Sequence, residues 1–80
     1  MSVKQAGAAR FQEICTERSI KTNELAHRAG VTPSSVYSML DPNRKEVTIN
    51  LIKKLCDGLD MTLGEFFSTQ AFDELEQEIK

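Results

Sequence analysis

The sequence lacks any apolar segment long enough to cross a membrane, and its N-terminus lacks the apolar stretch of a signal peptide. We therefore expect a cytoplasmic protein with no membrane partner. Its 80 residues leave no room for a catalytic cleft together with a second lobe. The chain also contains no paired carboxylates, no nucleophile–base set and no phosphate-binding loop, so we expect no enzymatic activity.

Metal-ligating residues are scarce. Cys15 and Cys56 are isolated cysteines at apolar helical positions, with no CxxC motif and no neighbouring histidine. This pattern favours reduced core residues over a disulfide or a metal pair. His27 is the single histidine, expected on an exposed helix face without a second ligand at metal-binding spacing. The sequence therefore predicts no metal and no cofactor.

The chain also lacks the positive net charge that is common in nucleic-acid-binding proteins, because its formal charge is −2. The charge is unevenly distributed. Residues 1–54 carry nine basic and five acidic side chains, whereas residues 55–80 carry one basic and seven acidic side chains. A basic body followed by an acidic tail is compatible with DNA binding.

Helical periodicity extends through the chain, and strand signals are nearly absent. Ser2 with Gln5 and Thr62 with Glu65 are predicted capping boxes, and Thr48 is a predicted N-cap. We expect helices over about residues 3–17, 22–29 and 33–40, a fourth after residue 48, a fifth through residues 66–67, and an amphipathic end from residue 70 to residue 79. With no internal repeat and no linker, the chain is predicted to be one all-α domain over residues 1–80.

The segment 22–41 is the most informative part of the sequence. Gly30 suits the left-handed backbone that follows a helix before a tight turn, and Ala26 suits the close crossing of two helices. Thr32 can cap the next helix, where Pro33 at the first helical position loses no needed hydrogen bond. A turn of this kind presents the second helix as a rod that fits the major groove of duplex DNA.

These features resemble the helix-turn-helix domains of the phage repressor and Cro type, the XRE-like family. The resemblance covers roughly residues 10–68 and includes the motif TLGEFF at residues 62–67. Its other positions are apolar or small residues, namely Phe11, Ile14, Leu25, Ala26, Gly30, Val31, Val36, Met39, Ile49, Ile52, Leu55 and Leu59. It implies a five-helix repressor-like DNA-binding domain with the motif at residues 22–41, followed by a C-terminal amphipathic helical extension over residues 69–80.

The resemblance further implies that the helix over residues 33–40 is the recognition helix and that the partner is double-stranded DNA. The residues implied to face bases are Pro33, Ser34, Tyr37 and Ser38. Those implied to contact phosphates are Lys21, Thr22, Thr32, Asn43, Arg44 and Lys45. The alternatives are solvated serines, a tyrosine that covers the neighbouring helix, and a solvated charge pair at residues 44–45.

The sequence departs from the family pattern at three places. Lys21 and Thr22 replace the usual Ser/Thr cap and the Gln that follows it, and Cys15 with Leu40 replaces a common Arg–Glu pair. The recognition helix contains no Arg, Lys, Gln or Asn, the residues that make bidentate base contacts. We therefore expect the shape and deformability of the DNA to carry much of the specificity.

The apolar residues Phe72, Leu75 and Ile79 either fold back on the core or contact a second subunit, and we favour the second interpretation. The sequence thus predicts a sequence-specific transcriptional regulator, acting as a repressor through a homodimer on an operator. The alternative is a protein-interaction module of antitoxin or adaptor type that engages a partner protein through the acidic C-terminal segment.

Overall fold

A computed structural model describes residues 1–79, so Lys80, the end of the predicted extension, lies outside the described residues. Within residues 1–79 there are six helices and no strand. The helices are α1 (Val3–Arg18), α2 (Thr22–Ala29), α3 (Pro33–Leu40), α4 (Ile49–Gly58), α5 (Leu63–Phe67) and α6 (Gln70–Asp73). The all-α prediction is confirmed. None of the described helices is long and apolar enough to cross a membrane.

The predicted capping residues begin the helices as expected. At α1, the Gln5 amide donates to Ser2 Oγ at 3.1 Å and the Ser2 amide donates to Gln5 Oε1 at 2.8 Å. The reciprocal pair at α5 joins Thr62 and Glu65 through two bonds of 3.0 Å. Thr48 caps α4 with a 3.1 Å bond to its hydroxyl. These local hydrogen bonds fix where α1, α4 and α5 start.

Aromatic rings join the two ends of the chain in the core. Phe11 of α1 and Phe66 of α5 are almost fully buried, with ring centroids 4.3 Å apart. Phe67 packs edge-on against Phe66 with a centroid distance of 4.9 Å. Around these rings lie the other buried residues of the core cluster, namely Ile14, Ile20, Leu25, Ala26, Val36, Met39, Ile52, Leu55, Cys56 and Leu59.

The backbones of α2 and α4 approach closely at Gly58. A Cβ atom at this position would lie 2.8 Å from the Ala29 amide nitrogen and 3.0 Å from the Arg28 carbonyl carbon. Ala26 of α2 is also fully buried, as expected for a small residue at the close crossing of two helices. Gly58 was not singled out from the sequence because the approach joins segments that are distant along the chain.

Helix α1 is tied by three cations to the C-terminal ends of three other helices. Such ends carry unpaired carbonyls and the negative pole of the helix dipole, so cationic donors suit them. The bonds run from Lys4 Nζ to Asp41 O after α3 (2.6 Å), from Arg10 Nε to Phe66 O in α5 (3.1 Å) and from Arg18 Nη1 to Leu59 O after α4 (2.5 Å). Three of the nine basic residues in the N-terminal part are therefore engaged within the fold.

The C-terminal extension is helical over Gln70–Asp73 and is not helical over residues 74–79. The amphipathic end predicted from residue 70 to residue 79 is therefore helical over its first four residues alone, and Leu75 and Ile79 lie outside α6. Phe72 packs on the core, with its ring centroid 4.9 Å from that of Phe67, whereas Ile79 is 84% exposed. Acidic residues follow α6, and negative charge at a helix C-terminus opposes continuation of the helix.

Candidate nucleic-acid interface

The turn between α2 and α3 has the geometry that the sequence predicts. Gly30 adopts φ +69° and ψ +29°, a left-handed conformation that glycine adopts without steric cost. Its amide donates to His27 O at 3.2 Å, and the Val31 amide donates to Ala26 O at 3.0 Å. These bonds close the end of α2 and set the direction in which α3 leaves.

A cluster of hydroxyl groups begins α3. Thr32 Oγ1 accepts from the Ser35 amide at 3.4 Å and lies 3.0 Å from the hydroxyl oxygens of both Ser34 and Ser35. Pro33 occupies the first turn, as predicted. The start of α3 is thus fixed by this cluster, in which Thr32 and Ser34 are exposed and able to bond to an incoming polar group, whereas Ser35 is half-buried.

The exposed face of α3 contains all four residues predicted to face bases. Val36 and Met39 point into the core with 1% and 3% exposure, which turns the opposite face outward. On that face lie Pro33, Ser34, Tyr37 and Ser38. Tyr37 is 55% exposed, and its hydroxyl donates to Asn23 Oδ1 of α2 at 3.4 Å. Asn23 was not identified from the sequence, where no local signal pairs it with α3.

The N-terminus of α2 lies beside this face without a side-chain cap. Lys21 is its N-cap and makes no capping hydrogen bond through its side chain, unlike the caps of α1, α3 and α4. Lys21 is exposed and Thr22 is half-buried. Uncapped amides at a helix N-terminus favour anions, and the Lys21 ammonium adds a positive charge.

The α3–α4 loop (residues 41–48) contains the other predicted phosphate ligands. Asn43, Arg44 and Lys45 are all exposed. The loop turns at Asp41, whose carboxylate Oδ1 accepts from the Asn43 amide at 2.9 Å. The Asp41 carbonyl accepts from the Arg44 amide at 3.0 Å and from Lys4 Nζ at 2.6 Å. Asp followed by Pro and Asn is a turn signal, but nothing in the sequence links Lys4 to it.

Charge pairing reduces the number of cations that face outward. Arg28 donates to Glu24 of the same helix at 2.8 and 3.2 Å, and Lys53 pairs with Asp57 in α4. Three cations of α1 donate to helix ends. Lys21, Arg44 and Lys45 form no ion pair among residues 1–79 and are the basic side chains of the candidate interface.

A cleft of about 690 Å³ opens between α1, the start of α2 and α3. Its apolar lining includes Phe11, Leu25 and Met39, together with Cys15 and Leu40. Burial raises the pKa of the Cys15 thiol above its ordinary value, as it does for Cys56, which keeps both thiols protonated at neutral pH. Both cysteines are free thiols.

Comparisons with known proteins agree with this geometry. A family model described as the Cro/C1-type HTH DNA-binding domain matches residues 10–71. The chain is also similar to the crystal structure of the prophage Lp1 protein 11, with a TM-score of 0.82 and 26% sequence identity over 92% of this chain and 97% of that chain. No curated protein sequence matches. Domains of this family are regulatory rather than enzymatic in kind. The chain belongs to the Cro/C1-type helix-turn-helix family and is a DNA-binding transcriptional regulator resembling phage repressors and Cro.

Proposed function

We propose that the chain is a sequence-specific repressor that binds an operator as a homodimer and occludes a promoter. The observation that carries the proposal is the exposed face of α3, which is presented by the Gly30 turn and flanked by two groups of anion-binding residues. One group is the uncapped start of α2 and the other is the α3–α4 loop. This arrangement fits a helix that enters the major groove between two phosphate backbones.

The residues of α3 divide between base and backbone contacts in this proposal. Ser34, Tyr37 and Ser38 face base edges together with Pro33, and the Thr32 hydroxyl contacts a phosphate. Because serine and tyrosine discriminate weakly between bases, the operator is distinguished in large part by its shape and deformability. The remaining phosphate contacts come from Lys21, Thr22, Asn43, Arg44 and Lys45.

In this proposal the extension over residues 69–80 belongs to the same domain as the motif at residues 22–41. The extension provides the dimer contact. Ile79 supports this assignment because 84% of its surface is exposed. Leu75 is half-buried and contributes a second apolar side chain. Phe72 contributes less to the dimer because it already packs against Phe66 and Phe67 of the same chain.

Duplex binding measured at several salt concentrations tests the DNA-binding role of these residues. Three phosphate-facing cations, Lys21, Arg44 and Lys45, predict a slope of log affinity against log salt of about −2.7 for each bound subunit and about −5.4 for the dimer, from about −0.9 for each phosphate contact. The duplex is one that the native chain selects from random oligonucleotides. Failure to enrich any sequence, or binding that is insensitive to salt, would contradict the proposal.

A second candidate function is the capture of a partner protein through the acidic C-terminal segment. Its supporting observation is that Asp73, Glu74, Glu76 and Glu78 are exposed beside the exposed Ile79. Removing residues 74–80 distinguishes the two functions. If the chain is a DNA-binding repressor, the truncated protein keeps its half-site contacts and binds DNA with lower affinity. If the chain is a partner-binding module, the truncated protein no longer binds its protein partner, and any DNA binding is unchanged.

A further inference from the structure

We propose that Lys4 and Asp41 are positioning residues that hold the α3–α4 loop in the conformation that binds DNA phosphates, although neither side chain contacts DNA. The inference rests on the proposed function, because it concerns how Arg44 and Lys45 are presented. It assigns a DNA-affinity role to a residue of α1 that lies outside the helix-turn-helix motif.

Lys4 is the one charged side chain among the buried residues of the described chain, with 5% exposure. A buried ammonium is costly unless it is hydrogen-bonded. Its partner is the Asp41 carbonyl, 37 positions away in sequence and 2.6 Å from Lys4 Nζ. Since Asp41 directly follows α3, the bond joins the start of α1 to the end of the recognition helix.

Asp41 transmits this constraint to the loop through both of its oxygen-bearing groups. Its carbonyl accepts from Lys4 and from the Arg44 amide, and its carboxylate accepts from the Asn43 amide. Two of the three loop residues that are predicted to contact phosphates, Asn43 and Arg44, are therefore bonded directly to Asp41.

The rest of the loop has few other restraints. In the described structure, residues 45–47 make no main-chain hydrogen bond to other residues. Val47 is half-buried and packs against the core, which anchors the far end of the loop. Without the Asp41 turn, Arg44 and Lys45 would become ordered only when DNA binds. The conformational entropy lost in that step would reduce the affinity for DNA.

The test compares Lys4→Met with Arg10→Met in the full chain. Both variants remove one positive charge from α1 and its hydrogen bonding to a helix end. Arg10, however, donates to the Phe66 and Glu65 carbonyls of α5 rather than to the α3–α4 loop, and its replacement also removes an ion pair with Glu13. The probe is a duplex selected by the native chain, or a mixed-sequence duplex if selection enriches none. Circular dichroism verifies that both variants are folded at the measuring temperature.

Lys4→Met is expected to raise the dissociation constant about tenfold relative to Arg10→Met. It is also expected to reduce the steepness of the salt slope by up to about 2 for each bound subunit, since two phosphate contacts weaken in each. Equal affinity and equal slope in the two variants would overturn the inference. A slope that is unchanged while stability falls would assign Lys4 a structural role alone, which also overturns it.

Amide hydrogen exchange without DNA separates this inference from the proposed function. In Lys4→Met, the Asn43 and Arg44 amides are expected to exchange about tenfold faster than in Arg10→Met, because the turn opens more often. If the native chain binds no duplex, the proposed function fails and the DNA role of Lys4 fails with it. Unchanged exchange at both amides would refute the positioning itself.

Asp41→Asn and Asp41→Ala form a second matched pair. Both remove the same negative charge, but only asparagine keeps an oxygen that accepts from the Asn43 amide. Asp41→Asn is expected to bind the duplex at least as tightly as the native chain, and Asp41→Ala several-fold more weakly than Asp41→Asn. Equal binding by the two variants would contradict a positioning role for the carboxylate.

Discussion

At the residue scale, two glycines in helices meet opposite environments. Gly58 in α4 faces the main chain of Arg28 and Ala29, so an added methyl group would displace backbone atoms. Gly7 lies inside α1, and a methyl group added there would have no atom of another segment within 4 Å. Glycine is therefore required by packing at one position and costs backbone entropy at the other.

Gly58→Ala is expected to lower the free energy of unfolding by about 1–3 kcal/mol, the usual cost of overpacking a close contact. Gly7→Ala is the matched control and is expected to raise it by about 0.5–1 kcal/mol through helix propensity. Urea titrations of both variants measure the change. Equal stability of Gly58→Ala and the native chain would mean that α2 and α4 separate without cost.

Also at the residue scale, Tyr37 tests the exposed face of α3. Tyr37→Ala is expected to weaken duplex binding by about 1 kcal/mol, the lower range for a base contact. Tyr37→Phe is expected to bind nearly as well as the native chain, because the Asn23 bond is long at 3.4 Å. Duplex titration measures both, and unfolding curves verify that the fold is unchanged. Equal affinity in all three proteins would place Tyr37 outside the interface.

At the element scale, the capping box of α5 makes stability depend on pH. The hydrogen bond from the Thr62 amide lowers the pKa of Glu65 below its ordinary value of 4.5, and a second bond to Thr62 adds to this. A lowered folded-state pKa means that the carboxylate stabilises the fold above pH 4.5 and that this contribution is lost as pH falls through the lowered value.

Glu65→Gln keeps an oxygen that accepts hydrogen bonds but removes the carboxyl group that titrates. It is expected to flatten the dependence of unfolding free energy on pH below about pH 5, whereas the native chain loses stability there. Glu76→Gln, at an exposed residue in the tail, is the control and is expected to retain the native profile. Identical profiles for the native chain and Glu65→Gln would contradict a role for the carboxylate charge.

Elements set by local hydrogen bonds are those that the sequence predicts well. The caps at Ser2, Thr48 and Thr62 and the turn at Gly30 each join residues within a few positions, so their chemistry is visible in the sequence. The interface residues of α3 follow from helical periodicity and the family resemblance. The bond between Lys4 and Asp41 is not predictable in this way, because it depends on how distant helices pack.

At the scale of the whole molecule, the number of basic side chains in residues 1–54 is larger than the number available to DNA phosphates. Residues 1–54 carry nine basic side chains, but several donate to helix ends or pair with neighbouring acids. One subunit has few basic side chains that face phosphates, and the exposed side chains of α3 discriminate weakly between bases. Both features favour binding by two subunits, since a dimer doubles the contacts to one duplex.

Ile79→Asp is expected to dissociate the proposed homodimer by placing a charge in its apolar contact. Ile49→Asp is the control, because Ile49 is also an exposed apolar residue, at 56%, but lies at the start of α4. Sedimentation over a range of protein concentrations measures the association. A native chain that stays monomeric, or equal association in the two variants, would exclude the extension as the dimer contact.

The three cations of α1 bond to parts of the chain that are synthesised after it. Lys4, Arg10 and Arg18 find their carbonyl partners 37, 56 and 41 positions further along the chain. Of the six helices α1 is synthesised first, yet its polar contacts cannot be completed until Phe66 has been added and α3, α4 and α5 have ended in place. Fraying of any of those three helix ends therefore breaks a bond to the same helix, so local opening at the ends of α3, α4 and α5 is coupled through α1.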